Sequence, residues 1–327
     1  MIFVCASPLQ ALNCITYILQ FSLTEAAIIV HKDQLSNREY SQILNVVSPF
    51  EIPLIAIQSF PNKLKNNFLN LKYQKVFISD LANFQQLLTC YKLKPTEIVL
   101  GADGTNNFYV KKDNSPFQLK KLCIRIASQF LTSQLLKKTV KQFTIFKPHP
   151  YFENNVPNYE VIPKKIIKDF TADLSYEYIF IGGPLSENGH LTLVDEVDLI
   201  ISLNNDLKLR KNVNLIYITH RRETDNKLEY LREHGVKVVN LSGPIELYFL
   251  KYRATIKELY TFISSASFSG CAIGIKPNQF NLIDISKLAL TDEHAKKITI
   301  VQTKASELGI NLLRLPLEGQ NWVQNNA

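Results

Sequence analysis

The chain has little cysteine, no run of apolar residues long enough to span a bilayer, and few of the motifs that announce common enzyme classes. Its five cysteines, Cys5, Cys14, Cys90, Cys123 and Cys271, are odd in number, scattered, and never spaced C-x-x-C. That pattern argues against a disulfide framework or a zinc site and points to a reducing, cytoplasmic setting. No stretch approaches 18 uninterrupted apolar residues, so no spanning helix is expected. The start, Met1-Ile2-Phe3-Val4-Cys5-Ala6, has no basic n-region and reads as a buried strand rather than a signal peptide. There is no Walker A loop, no G-x-G-x-x-G, no H-E-x-x-H and no G-x-S-x-G. There is also no D-x-D of the kind that holds a metal against a nucleotide-sugar diphosphate. That absence favours a donor needing no metal, such as a nucleoside monophosphate sugar, and no cofactor is expected.

What is present is a globular composition. Of 327 residues, 46% are hydrophobic and 20% charged, enough apolar surface for one large or two ordinary domains. The formal charge is +8. Between Phe108 and Pro150 stand nine basic residues (Lys111, Lys112, Lys120, Lys121, Arg125, Lys137, Lys138, Lys141 and Lys147) against the single acid Asp113. A basic face of this kind suits nucleic acid, anionic lipid or an acidic glycan, or is an ordinary solvated helix face. Aromatic residues are not interleaved with these cations as a nucleic-acid stacking platform requires, and no nucleic-acid partner is expected.

Apolar β-rich runs alternate with helical stretches. Strands are expected at 1–6, 26–31, 52–58, 75–79, 97–101 and 143–146, with helices at 8–22, 36–47 and 116–141. Four prolines in 148–165 read as an interdomain linker. A second series follows: strands near 177–181, 213–219, 236–240, 257–263 and 298–302, with helices at 192–208 and 224–234. Such alternation implies an α/β fold with parallel sheets and ligands at the carboxyl ends of strands. The expected domains are 1–160 and 161–327.

Five motifs fall at expected strand ends. Ser7-Pro8-Leu9-Gln10 opens a helix, with Ser7 suited to an N-cap and Pro8 to the first helical position. Asp103-Gly104-Thr105 offers a carboxylate at what is equally a common turn dipeptide. Gly182-Gly183-Pro184 allows close backbone approach to a ligand and leads to Ser186 and a second candidate base, Glu187. His220-Arg221-Arg222 combines a group able to hydrogen-bond a departing phosphate with guanidinium forks that grip one. Ser264-Ser265-Ala266-Ser267 suits a phosphate seat at a helix N-terminus, or plain capping. His149, in Lys147-Pro148-His149-Pro150, is a further candidate or a rigid turn.

On Ala102-Asp103-Gly104-Thr105, His220-Arg221-Arg222 and Ser264-Ser265, in that order, the chain resembles the bacterial sialyltransferases of glycosyltransferase family 52, including the lipooligosaccharide sialyltransferases. The flanking Glu97-Ile98, Asn214-Leu215-Ile216-Tyr217 and Tyr260-Thr261-Phe262 share the likeness, as does Pro8-Leu9-Gln10. The resemblance implies a GT-B architecture, two Rossmann-like domains with parallel sheets facing across a cleft. The domain 1–160 would be the acceptor side, and 161–327 would bind the CMP donor. It implies inverting, metal-independent transfer of sialic acid from CMP-sialic acid to a terminal galactose of a lipooligosaccharide or capsular glycan. Glu187, with Asp103 as the alternative, would be the base, and His220 would stabilise the leaving phosphate. Ser7, Gly182, Gly183, Arg221, Arg222, Ser264 and Ser265 would hold the donor. Three positions depart from the family pattern. Ala102 stands where the first acid of an acidic-acidic-Gly triplet would be, and Arg221 stands where a proline follows the histidine. Leu185 stands in the place of a catalytic aspartate, with Glu187 two residues on. These departures leave open another CMP-activated nonulosonic acid as donor, and a basic nucleic-acid-binding α/β protein is the remote alternative. With no spanning helix expected, a cytoplasmic enzyme of this kind would meet a lipid-linked acceptor peripherally at the inner face of the membrane, through the basic stretch 111–141 and the Lys63–Lys75 segment. In some relatives the resemblance implies a homodimer.

Overall fold

The computed structural model describes residues 1–57, 74–81, 83–101, 119–145, 153–170, 175–314 and 323–325, with backbone alone for 119–126, 169–170 and 323–325. The chain divides into two compact units that part between Ile166 and Ile167. Each is a seven-stranded sheet with helices between its strands.

The first sheet runs β1 (Ile2–Cys5), β2 (Ala27–His31), β3 (Leu54–Ile57), β4 (Lys75–Ile78), β5 (Glu97–Gly101), β6 (Thr139–Phe143) and β7 (Glu153–Asn155). Its spatial order is β3-β2-β1-β4-β5-β6-β7, and every pairing is parallel. The helices are α1 (Pro8–Gln20), α2 (Asn37–Val47), α3 (Phe84–Leu93) and α4 (Leu119–Leu135). Central strands covered on both faces read as continuous apolar runs, and all four residues of β1 are buried. Phe3, Tyr17, Phe77 and Phe143 meet in edge and tilted contacts with centroids 5.0–6.1 Å apart. Such pairs add about 0.5–1.5 kcal/mol each beyond burial.

The second unit opens with α5 (Lys164–Phe170), whose first turn belongs to the first unit, and continues through β8 (Tyr178–Ile181) and α6 (Leu193–Lys211). Next come β9 (Ile216–Ile218), α7 (Asp225–Glu233), β10 (Lys237–Val239), α8 (Ile245–Tyr252), β11 (Glu258–Thr261) and α9 (Ser265–Ala272). The last elements are β12 (Phe280–Ile283), α10 (Asp292–Glu307), β13 (Asn311–Arg314) and β14 (Val323–Asn325). The order is β10-β9-β8-β11-β12-β13-β14, parallel except for the antiparallel edge strand β14. In both sheets the order reverses beside the first strand, between β1 and β4 and between β8 and β11. The crevice at such a switch point, beyond the strands' carboxyl ends, is where doubly wound sheets take ligands.

Four sequence expectations are corrected. The strand expected at 298–302 is the middle of α10. Thr291 caps that helix by accepting from the His294 N–H at 3.2 Å, and Ile298, Val301 and Ala305 form its buried stripe. The helix expected at 116–141 ends at Leu135, and the strand expected at 143–146 lies earlier, at Thr139–Phe143. The stretch expected as a linker from 148 to 165 is, over its described residues, packed into the first unit. Here β7 extends the sheet, Tyr159 and Ile162 are buried, and the Tyr159 hydroxyl donates to Asn13 Oδ1 at 2.8 Å. Of its prolines, Pro157 and Pro163 are described, and they stand between elements, after β7 and before α5.

Cys5, Cys14, Cys90 and Cys271 carry free thiols. No helix among the described residues is long and apolar enough to cross a membrane.

Candidate active site

Most of the candidate residues gather at the carboxyl edge of the second sheet. Gly182 and Gly183 leave β8, His220, Arg221 and Arg222 follow β9, and Ser264 and Ser265 follow β11. β8 and β11 are the two strands that flank the switch point. Ser7 lies in the first unit, after β1. Asp103 and His149 lie outside the described residues, as do the Ala102–Thr105 motif, Lys111, Lys112, Lys147 and Lys63.

Gly182 is there because a side chain would not fit. A Cβ built on it would stand 2.7 Å from the Tyr217 hydroxyl and 2.9 Å from both Glu223 oxygens. Beyond it, Glu187 is held on both oxygens. Its Oε1 accepts from the Thr224 N–H at 2.9 Å, and its Oε2 accepts from Ser186 Oγ at 3.2 Å. The β8 loop carrying Glu187 is thereby attached to the β9 loop carrying His220.

His220 is oriented by its own turn. Its Nδ1 accepts from the Arg222 backbone N–H at 3.2 Å, and its backbone N–H donates to Glu223 Oε2 at 2.7 Å. The ring's other nitrogen, Nε2, faces the neighbouring Arg221 side chain. Arg221 Nη1 lies 3.4 Å from that Nε2. The guanidinium, which can only donate, and the imidazole edge thus lie side by side at the end of β9. Behind Arg221, Glu246 is buried on α8 and accepts from Ser269 Oγ at 2.6 Å. Burial raises the Glu246 carboxyl above its ordinary value, opposed by the Ser269 hydrogen bond and the Arg221 charge.

Ser264 caps α9, its Oγ accepting from the Ala266 N–H at 3.2 Å, and Ser267 Oγ donates to the Ser264 carbonyl at 2.8 Å. The cap fixes the first turn of a helix whose positive end faces the switch point. Ser7 caps α1 in the same way, accepting from the Gln10 N–H at 3.2 Å, with Pro8 in the first turn. The switch point of the first sheet is joined by two buried glutamines. Gln10 Oε1 accepts from the Ala6 N–H at 2.7 Å and from Gln86 Nε2 at 2.9 Å. Gln86 Oε1 accepts from the N–H groups of Ser79 and Asp80 at 3.0 and 3.1 Å.

Sequence reasoning missed a buried charged group beneath the second site. The Lys227 side chain is fully buried and pairs with Glu196 Oε1, lies 2.9 Å from Glu223 Oε1 and 3.7 Å from Glu187 Oε2, and donates to the Gly183 carbonyl at 2.8 Å. Burial alone would lower the Lys227 ammonium, but Glu223 and Glu196 outweigh it and hold the pKa above the ordinary lysine value. Burial pushes the Glu223 carboxyl up, against the pull of Lys227 and the Tyr217 hydroxyl. A signal existed in the sequence. Lys227 shares a helix face with Leu231, and Glu196 shares one with Ile200 and Leu203. A charge at a core-facing position needs a partner.

The fold is of the GT-B class. A crystal structure of the GT-B domain of a sialyltransferase from Photobacterium damselae superposes with a TM-score of 0.52 at 12% identity, covering 94% of this chain and 97% of that one. Two further structures align less closely. One is an alpha/beta-galactoside alpha-2,3-sialyltransferase from Photobacterium phosphoreum, with TM-score 0.48, 14% identity, and 95% and 97% of the two chains covered. The other is the Escherichia coli heptosyltransferase WaaC with ADP-2-deoxy-2-fluoro heptose, with TM-score 0.39, 11% identity, and 86% and 88% covered. No protein-family profile matches the sequence, and no curated protein does.

Proposed function

We propose that the protein is an inverting, metal-independent sialyltransferase that moves sialic acid from CMP-sialic acid to a terminal galactose of a lipooligosaccharide or capsular glycan. The observation that carries the reading is the placement of Gly182–Gly183, His220–Arg222 and Ser264–Ser265 on neighbouring strand ends around one switch point. The GT-B fold and the order of these motifs support it.

In this reading the second unit binds the donor, and the cytidine monophosphate lies along the ends of β9, β8 and β11. The phosphate meets His220 Nε2 and the Arg221 guanidinium, with Arg222 beside them, and the first turn of α9 adds backbone donors behind Ser264 and Ser265. Gly182 and Gly183 let the backbone come close. As the C2–O bond to phosphate breaks, negative charge grows on the departing CMP, where fixed donors lower the barrier most. The galactose hydroxyl attacks C2 from the opposite face and loses its proton to a carboxylate. We assign that base to Glu187, with Asp103 as the second carboxylate to be tested. A CMP-linked nonulosonic acid other than sialic acid fits the same phosphate site. The acceptor would be reached peripherally at an anionic membrane surface from the cytoplasmic side, and a homodimer is compatible with the reading.

The test is acceptor-dependent CMP release from CMP-Neu5Ac with lactose or N-acetyllactosamine, in EDTA. Wild type should turn over. His220→Ala should lose about 10²–10³ in kcat, the loss typical of removing one preorganised donor. Glu187→Ala should be more damaged than Asp103→Ala, and the reverse order would move the base to Asp103. A wild type that releases no CMP but is stabilised by it would point to another CMP-linked sugar. A wild type indifferent to CMP would refute the reading.

A further inference from the structure

We infer that Lys227 is a positioning residue that locks the Glu187 loop to the His220 loop, so that base and leaving-group donor are set by one buried cation. The inference rests on the proposed reading of this site and concerns residues that reading does not use.

Lys227 stands on α7, one turn after Glu223, with no exposed side-chain surface. Its ammonium faces three carboxylates from three places in the chain: Glu187 in the loop after β8, Glu196 on α6 and Glu223 in the turn after β9. Each carboxylate in turn accepts from a backbone N–H of a site loop. Glu196 Oε2 takes the Ser186 N–H at 2.9 Å, Glu223 Oε2 takes the His220 N–H at 2.7 Å, and Glu187 Oε1 takes the Thr224 N–H at 2.9 Å. Lys227 also donates to the Gly183 carbonyl at 2.8 Å. The backbone at Gly183, Ser186, His220 and Thr224 is thus hung from one charge centre. Tyr217 closes the group from β9, donating to Glu223 Oε1.

A buried cation among several carboxylates is a poor device for stability alone. Desolvating these charges offsets much of their attraction, and apolar groups of equal volume often serve as well. Its distinctive product is geometry. Every backbone group the cluster holds, the N–H of Ser186, His220 and Thr224 and the carbonyl of Gly183, lies on a loop that carries a candidate catalytic or donor-binding residue. A displacement of about 1 Å in such a constellation can lower a rate by about 10²-fold.

The experiment compares wild type, Lys227→Met, Lys227→Arg and Glu196→Gln, with Lys304→Met as a control in a solvent-exposed pair with Glu307. Folding is checked by circular dichroism, donor binding by the CMP-induced rise in Tm, and turnover as kcat and KM for CMP-Neu5Ac well below each Tm. Glu196→Gln keeps an acceptor for the Ser186 N–H but offers Lys227 no charge. We expect its kcat to fall about tenfold or more while KM changes less than about threefold, the split expected when transition-state geometry rather than ground-state binding is lost. Lys227→Arg should recover part of what Lys227→Met loses, and Lys304→Met should match wild type. If Lys227→Met does not fold, Glu196→Gln decides. A folded Glu196→Gln with wild-type kcat overturns the inference while leaving the donor reading intact, and so does a rise in KM with kcat unchanged. A wild type whose Tm ignores CMP overturns the donor reading and this inference with it.

Discussion

The sharpest constraints sit on single residues around Gly182. Its missing side chain is required by two neighbouring groups, the Tyr217 hydroxyl and the Glu223 carboxylate. Gly182→Ala should therefore cost about 1–3 kcal/mol, as overpacking in a filled core does. Urea denaturation would measure it as a lower midpoint at unchanged slope. A neutral effect would mean that the Tyr217–Glu223 pair yields easily and does not define the floor of the site. His220 is held by its own turn, through the Arg222 backbone N–H on Nδ1 and with the Arg221 guanidinium beside Nε2. These roles were partly legible. A histidine followed by two arginines at a strand end states its chemistry in the sequence. Lys227 and Glu196 gave a weaker signal, a charge on an apolar helix face whose partner is known only once the facing helix is placed, and nothing in the sequence marks the burial of Glu223 in the turn after β9. Gln86 escaped because its partner Gln10, itself part of a noted motif, lies 76 residues away in the chain.

At the scale of elements, the loop after β8 is tied to α10 as well as to the β9 turn. His190 in that loop packs edge-on against His294 in the first turn of α10, with ring centroids 4.2 Å apart, and its carbonyl accepts from the Leu290 N–H at 3.1 Å. Burial, His294 and Lys297 lower the His190 pKa to about 4. Because the folded value lies below the ordinary 6.5, the unfolded chain binds the extra proton between them. The stability this pair contributes is present above pH 6.5 and is lost as pH falls from there to about 4. Chemical denaturation across that window should show a decline that His190→Gln flattens, and an unchanged slope in the variant would assign the decline elsewhere. The buried parallel strands were legible as elements because they are continuous apolar runs. Residues 298–302 were misread by the same rule. Ile298-Thr299-Ile300-Val301 is β-rich in composition, but Thr291 caps a helix through it and only Ile298 and Val301 of the run are buried. The boundary between α4 and β6 was misplaced because β6, Thr139-Val140-Lys141-Gln142-Phe143, has only two apolar residues while Phe143-Thr144-Ile145-Phe146 reads as the strand, and no glycine or proline between Leu135 and Phe143 marks the turn.

For the molecule as a whole, the division into two α/β units and the strand order of each give the fold its candidate site. The alternation of elements predicted two parallel sheets; it did not predict which strand would be central. That follows from the crossovers, which return β4 to the far side of β1 and β11 to the far side of β8. Only then do Gly182–Gly183 and Ser264–Ser265 become neighbours across a switch point, with His220 on the next strand. The central claim is that the ends of β8, β9 and β11 hold the nucleotide of a CMP-activated sugar. Hydrogen exchange on the full chain, with and without CMP, tests it most directly. We predict slowed exchange at 182–187, 219–224 and 264–267, with the amides of β2 and β3 unchanged. Protection absent from those three segments, or appearing only on the first sheet, would contradict the account.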